Sequence, residues 1–202
     1  MPVLFTNATL TARRHGLPAL ARRVILGAAA ALAALDPTSA AAQTMTTSLP
    51  PIAYTLRFPA PQTQYVEVEA AIPTAGRSEV EVYMATWTPG SYLIREYERN
   101  VEAVTASAGA RAIAVAKSTK NRWKITTGGA PTVTLRYKVY SREMTVRNNW
   151  VEAAFAMING APTFITLVER RPRPHEIHLV LPAAWKRAMT GMDDAPDRQS
   201  DH

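Results

Sequence analysis

Cysteine is absent from all 202 residues. The chain therefore forms no disulfide, holds no thiolate zinc site and has no cysteine nucleophile. It also lacks an apolar run near the roughly 20 residues that a membrane-spanning helix needs, because its main candidate covers only residues 24–35. An H-E-x-x-H zinc motif, a G-x-S-x-G nucleophile elbow and a glycine-rich phosphate loop are missing too. These absences argue against independent catalysis by the chain.

Excess positive charge is present but dispersed. The formal net charge is +7, of which residues 1–42 contribute +3, so the remainder carries +4. In that remainder the basic residues mostly alternate with glutamate or apolar residues, and only residues 170–173 form a cluster. Without a basic stripe interleaved with aromatic residues, we expect no nucleic-acid partner.

The first 42 residues have the order of an export signal. Two arginine pairs precede the apolar run 24–35, and Ala40–Ala42 follow as small residues suited to cleavage. This predicts a signal peptide over residues 1–42 rather than a stable membrane span, and a periplasmic or secreted mature protein. The pair Arg22-Arg23 partly matches a twin-arginine signal, and an ordinary secretory leader fits equally well. A start at Met45 would remove the leader.

Apolar residues after Ile52 recur with a period of two, which is typical of strands with one buried face. The alternation is clearest in residues 65–72, 79–84 and 132–139. Shorter strand candidates are residues 54–58, 101–107, 112–117, 122–126, 164–168 and 176–181. Glycine- and proline-rich turn signals separate them.

This pattern predicts an all-β fold, an antiparallel β-sandwich with little helix, over residues 52–190. Only residues 92–99 and 183–189 have a pattern that allows a helical turn. Residues 43–51 are rich in Thr, Ser and Pro and are predicted to be a linker. Residues 191–202 are predicted to be a polar tail.

Histidines in the segment His175-Glu176-Ile177-His178 superficially suggest a metal site. A zinc-binding helix places its two histidines four residues apart, on one face. Here they are three apart in a predicted strand, where they would project to opposite faces. We therefore predict no metal site in this chain.

The segment that follows the strand at 79–84 is the most distinctive in the chain. It combines Trp87, the pair Pro89-Gly90, Tyr92 and the pair Arg95-Glu96. Pro followed by Gly predicts a tight turn with a positive φ at Gly90. One interpretation is a corner that plugs the sandwich, with Trp87 buried and Arg95 paired internally. The other is a rim that faces a partner domain or a ligand.

The string Trp87 to Glu96, followed by Asn100-Val101, resembles the signature of the amino-terminal domain of glycyl aminopeptidases, which are bacterial zinc metallopeptidases. Collinear agreement at residues 54–58, 137–140 and 155–164 extends the resemblance over residues 52–192. It implies an amino-terminal β domain, then a thermolysin-like catalytic domain that holds the zinc. The tail 191–202 would lead to that missing domain, and this chain itself would hold no cofactor.

The resemblance also implies partners. They are the catalytic domain of the parent aminopeptidase and short peptides with a free amino terminus, which related β domains help to anchor. Glu152, Asn159 and Gly160 become candidates for the cleft edge beside Trp87, Tyr92, Arg95 and Glu96. Residues 152–155 lack the acidic-histidine cluster found in family members, which leaves the role of Glu152 open.

The expected function is therefore that of a non-catalytic domain that packs on the absent catalytic domain and forms a wall of its peptide cleft. An exported, stand-alone β-sandwich that binds peptides or proteins is the alternative, and a truncated remnant without activity is a third possibility.

Overall fold

A computed structural model describes residues 49–193. The predicted signal peptide, most of the predicted linker and most of the polar tail lie outside the described residues. Within them the strands are β1 Ile52–Arg57, β2 Tyr65–Pro73, β3 Glu79–Met84, β4 Val101–Ala108, β5 Arg111–Ile113, β6 Val115–Thr119, β7 Arg122–Thr126, β8 Thr132–Tyr140, β9 Trp150–Val151, β10 Ala156–Met157, β11 Ile165–Leu167 and β12 His175–Val180. Two 3₁₀ turns, Pro61–Thr63 and Tyr97–Asn100, are the helical elements of this part of the chain.

Six of these strands form one sheet in the order β12-β1-β2-β8-β4-β5. Its central pair, β2 and β8, is antiparallel over nine residues in register from Tyr65↔Tyr140 to Pro73↔Thr132. Every second side chain in both strands is buried. The period of two in the sequence thus becomes one buried face and one wetter face.

The second sheet has four strands in the order β11-β3-β7-β6. The buried side chains of both sheets form one cluster, with Tyr54 and Leu135 from the larger sheet and Val82 and Ile125 from the smaller. The hydroxyl of Tyr54 also donates a 2.9 Å hydrogen bond to the backbone oxygen of Ile165 in β11. These contacts give the β-rich sandwich that the alternation predicts, with little helix.

One strand pair departs from the antiparallel prediction. The last strand, β12, runs parallel to β1, with Ile52 opposite His175 and Arg57 opposite Val180. A hairpin would have imposed an antiparallel pair, but β12 follows a connection from β11 in the other sheet, so the crossover sets its direction. The larger sheet is therefore mixed.

Several smaller predictions also need correction. The strand predicted over 112–117 is two strands, because β5 belongs to the larger sheet and β6 to the smaller one. Residues 183–189 contain no helix. The short hairpin of β9 and β10 was not predicted. In the described part of the chain no helix has the length and apolar character to cross a membrane.

Candidate functional site

A closed loop follows β3 and presents the distinctive segment of the sequence. The backbone N–H of Ser91 donates to the oxygen of Thr88 at 3.0 Å, and Gly90 has a φ of 78°. The predicted Pro-Gly turn is confirmed, since glycine takes this left-handed conformation without steric cost. The N–H of Arg95 then donates to the oxygen of Thr86 at 2.6 Å, which closes the loop at its base.

The tip of this loop exposes large apolar side chains. Tyr92 is 91% exposed, Leu93 62% and Ile94 66%. Trp87 is 37% exposed, so the interpretation of the segment as a plug with a buried Trp87 is wrong. Contiguous exposed apolar residues of this size are typical of surfaces that another protein covers. The three residues 92–94 are called the apolar tip below.

A groove separates the apolar tip from the loop that follows β8. Leu93, Ile94 and Arg95 line one side, and Glu143 and Asn148 line the other. Its volume is about 320 Å³, and it is open to solvent. A smaller cavity of about 60 Å³ adjoins it and shares Glu143 and Asn148. The loop on the far side exposes two more apolar residues, Met144 and Val146.

The carboxylates beside the groove are already engaged. Glu143 accepts from Arg99 Nη2 at 2.8 Å and from the side chain of Asn148. Glu96 pairs with Lys120, and this hydrogen bond lowers the pKa of Glu96. Both acids are therefore held as charged partners of a cation or donor. The lowered pKa of Glu96 is the opposite of the raised pKa expected of a general acid at neutral pH.

Arg95 has no such partner. Its guanidinium donates to the hydroxyl of Ser91 at 3.3 Å, and no carboxylate of the described residues forms an ion pair with it. The plug interpretation, in which Arg95 is paired internally, is wrong on this point too. The charge of Arg95 is consequently available to a group outside this domain.

Three buried polar atoms within four residues lack hydrogen-bond partners in the described part of the chain. They are Nε of Arg95, the hydroxyl of Tyr97 and Oε2 of Glu98. Tyr97 and Glu98 are each only 3% exposed. Burial raises the pKa of Tyr97, while Arg95 and Arg147 oppose that shift. Unpaired buried groups are rare, and two of these three belong to residues that line the groove, Arg95 and Tyr97, so they call for an explanation.

A buried hydrogen-bond network fixes the wall behind the groove. The side chain of Asn149 donates to Oγ1 of Thr163 at 2.8 Å and accepts from the N–H of Asn159 at 2.8 Å. The hydroxyl of Tyr137 donates to the oxygen of Thr163 at 2.8 Å and accepts from the N–H of Ile165 at 3.0 Å. These bonds tie the groove wall to the core of the sandwich.

The candidate residues of the sequence fall into separate places. Arg95 and Glu96 line the groove, while Asn159 lies behind it, with its side chain donating to the backbone oxygen of Asn148. Gly160 begins a turn, where its oxygen accepts from the N–H of Thr163 at 3.1 Å. Glu152 lies in the β9–β10 turn, and its N–H donates to Phe155. The groove-lining residues do not include Glu152.

Sequence reasoning missed the far side of the groove and its floor. Glu143 and Asn148 lie more than 40 positions from Arg95 along the chain, and no local pattern connects them. Tyr97 directly follows the distinctive segment and was not among the predicted site residues. The doublet Asn148-Asn149 before β9 was the available signal, since adjacent amides at a strand start often bond to backbone groups.

The two histidines of β12 lie on opposite faces of the strand. His175 lies opposite Ile52 on the core-facing side of the register and His178 opposite Thr55 on the other, as predicted from their spacing. Nε2 of His175 lies 3.0 Å from Oγ1 of Thr166. Among the described residues no group of three or more histidine, aspartate or glutamate side chains is placed to hold a metal ion.

Comparison with known proteins identifies the domain. No curated protein matches the chain. A solved structure of an aminopeptidase N family protein from Idiomarina loihiensis matches with a TM-score of 0.61 and 25% identity, covering 66% of this chain and 22% of that one. The model of the peptidase M61 N-terminal domain matches residues 53–202. The predicted resemblance is confirmed, and the chain belongs to the peptidase M61 N-terminal domain family.

Proposed function

We propose that the chain is the non-catalytic amino-terminal domain of an exported, glycyl aminopeptidase-like zinc metallopeptidase. It packs on a catalytic domain and forms one wall of that domain's cleft for short peptides with a free amino terminus. The observation that carries the proposal is the apolar tip at one end of the sandwich, beside the groove. The family and the structural relative, whose chain is several times longer than the matched part, support a further domain as the partner.

The surface proposed for docking consists of the apolar tip together with Met144 and Val146 across the groove. Water contact at these side chains is unfavourable by about 25 cal/mol for each Å² of apolar area, so covering them contributes to association. The rigid wall anchored by Asn149 gives the interface a fixed shape. Zinc would be held by the catalytic domain, since the described residues here provide no ligand cluster.

Export is the second part of the proposal. The arginine pairs, the apolar run 24–35 and the small residues at 40–42 support it. The mature protein would begin near Gln43 in the periplasm or outside the cell. Mass spectrometry of the amino terminus of the protein expressed from residue 1 in a bacterial host tests this. Recovery in the cytoplasm with the first 42 residues intact would contradict export.

Association with the catalytic domain is tested by reading the gene beyond His202 and producing both parts. Residues 43–202 alone should bind no stoichiometric zinc and release no amino acid from aminoacyl substrates. Mixed with the downstream domain, they should elute as one complex. Turnover by the isolated chain that a chelator abolishes would overturn the non-catalytic role.

Matched variants locate the docking surface. Leu93→Ser with Ile94→Ser should weaken the complex. Leu179→Ser with Val180→Ser, at two other exposed apolar positions on β12, should not. Equal loss with both pairs would contradict docking through the apolar tip. A monodisperse chain with no downstream partner gene would instead favour the stand-alone binding module.

A further inference from the structure

The groove beside the apolar tip contains unused hydrogen-bond donors. The hydroxyl of Tyr97 is buried and Nε of Arg95 is enclosed, and neither has a partner in the described residues. Both residues line the groove. Buried donors in folded proteins are nearly always paired. A group that enters the groove and reaches these two buried atoms would supply the acceptor that this part of the chain does not.

The charges around the groove select the sign of that group. Of the acids that line the groove, Glu143 is neutralised by Arg99, and Glu96 by Lys120. The buried carboxylate of Glu98, whose Oε2 has no partner in the described part of the chain, belongs to a residue that is not among those lining the groove. Arg95 has no ion-pair partner, and neither do Arg142 and Arg147 in the loop across the groove, among the described residues. An unmatched guanidinium next to a tyrosine hydroxyl favours an anionic acceptor. A carboxylate fits, because its two oxygens accept from both donors at once.

We propose that the groove is a carboxylate-binding site, occupied by an aspartate or glutamate side chain of the docked catalytic domain. This inference rests on the proposed function and adds the contact that fixes the register of the two domains. Arg95 and Tyr97 bind the carboxylate, and Ser91 holds the guanidinium in place through its 3.3 Å hydrogen bond.

The continuity of the groove with the apolar tip argues for a protein side chain over a small free acid. Leu93 and Ile94 belong to both, so an occupant that brings its own surface covers them while it fills the groove. A free acid would leave both side chains in water. An ion pair enclosed by apolar neighbours is also protected from solvent, as strong interface contacts usually are. The volume of about 320 Å³ is ample for one acidic side chain.

Zero-length cross-linking tests the site directly. Arg95→Lys keeps a positive charge and adds an amine that carbodiimide couples to a carboxylate in contact with it. The variant is mixed with the catalytic domain, treated with carbodiimide, and digested for mass spectrometry. We expect one dominant cross-link from the introduced lysine to an Asp or Glu of the catalytic domain. Arg111→Lys, at the opposite end of the larger sheet, is the control and should give none.

Affinity measurements complete the test. Arg95→Gln should weaken the complex by about 30-fold or more, as expected when one partner of an enclosed charge pair is removed. Tyr97→Phe should weaken it less, and Arg111→Gln should leave it unchanged. Circular dichroism and thermal unfolding of each variant check that the domain remains folded.

The outcomes separate the two proposals. If the domains associate but the introduced lysine cross-links no more than the control, docking survives and the carboxylate site is wrong. A cross-link to an added short peptide, without one to the catalytic domain, would also overturn the assignment and make the groove a peptide site. If the domains do not associate at all, the proposed function fails, and this inference fails with it.

Discussion

The body of the sandwich and its groove end differ in how far their buried polar groups are paired and their apolar residues are covered. In the body, the buried hydroxyls of Tyr54 and Tyr137 are paired with backbone groups of the opposite layer. Outside residues 95–98, Nε1 of Trp150 is the one further buried side-chain atom of the described residues without a partner. Exposed charges there also pair across strands, as Arg136 does with Glu69 at 2.8 Å. At the groove end, three buried polar atoms within four residues are unpaired and the apolar tip is exposed.

This contrast indicates which part of the domain has its polar and apolar groups satisfied within the domain and which part does not. A domain that pairs the buried hydroxyls of its core and leaves unpaired polar atoms and exposed apolar residues together at one end is expected to fold on its own and to bind through that end. Functional sites are where such exceptions are expected. Matched substitutions in the two regions should therefore have opposite consequences for stability and for association.

The largest expected difference comes from the same leucine truncation in each region. Leu135→Ala, at a fully buried position in β8, should lower the free energy of unfolding by about 3 kcal/mol, from lost burial and the cavity left behind. Leu93→Ala in the apolar tip should change it by less than about 0.5 kcal/mol. Urea denaturation of both variants measures this. Similar losses would mean that the tip packs into the isolated domain.

A smaller difference is expected for two tyrosines. Tyr137→Phe removes a hydroxyl that serves both Thr163 and Ile165, so it should cost about 2 kcal/mol. Tyr97→Phe removes a hydroxyl without a partner and should be neutral or slightly stabilising. Denaturation curves at one pH compare the pair. A cost at Tyr97 equal to that at Tyr137 would contradict the unpaired state of its hydroxyl.

Much of the body was predictable because short sequence patterns determine its strands and turns. Apolar residues that alternate, as in Val66 and Val68, specify a strand and its buried face regardless of what pairs with it. The turn at Gly90 was predictable for the same reason. The split at Ala114 was not, since the chain changes sheets there without a glycine or proline. The parallel pairing of β12 depends on a crossover between layers, which periodicity does not record.

The candidate site was predictable only on one side. The segment from Trp87 to Glu96 has an unusual composition, and it does form the near wall and rim of the groove. The far wall, with Glu143 and Asn148, is brought there by the packing of a loop more than 40 residues away. Whether Tyr97 has a hydrogen-bond partner is a property of the folded surroundings alone. The sequence identifies the residues of the near wall, but it does not show which of their hydrogen-bonding groups lack a partner.

A third prediction concerns self-association of the isolated domain. Residues 43–202 should associate weakly with themselves at high concentration, because the apolar tip is uncovered. Leu93→Ser with Ile94→Ser should reduce this while changing the free energy of unfolding by less than about 0.5 kcal/mol. Sedimentation velocity over a concentration series is the measurement. A strictly monomeric parent chain would weaken the contrast between the two ends.

The smallest expected effect is a pH dependence of the free energy of unfolding that arises from the body of the sandwich. Desolvation and the nearby Arg173 lower the pKa of His175 below its ordinary value of 6.5. The His175 ring makes a T-shaped contact with the ring of Tyr54, with centroids 5.3 Å apart. The unfolded chain therefore binds the proton more readily, so stability should fall as pH drops below 6.5 toward the lower pKa of the folded state.

His175→Gln keeps a polar group near Thr166 but does not titrate, so it should flatten this part of the stability curve. Thermal unfolding of both proteins between pH 7.5 and roughly pH 5 gives the comparison. The variant Arg95→Gln at the groove end should retain the slope of the parent protein, since it leaves His175 and its neighbours Arg173 and Tyr54 unchanged. A slope that persists in His175→Gln would assign the pH dependence to another group. The contrast requires the two regions to be separate. A slope lost in Arg95→Gln would show instead that they are coupled.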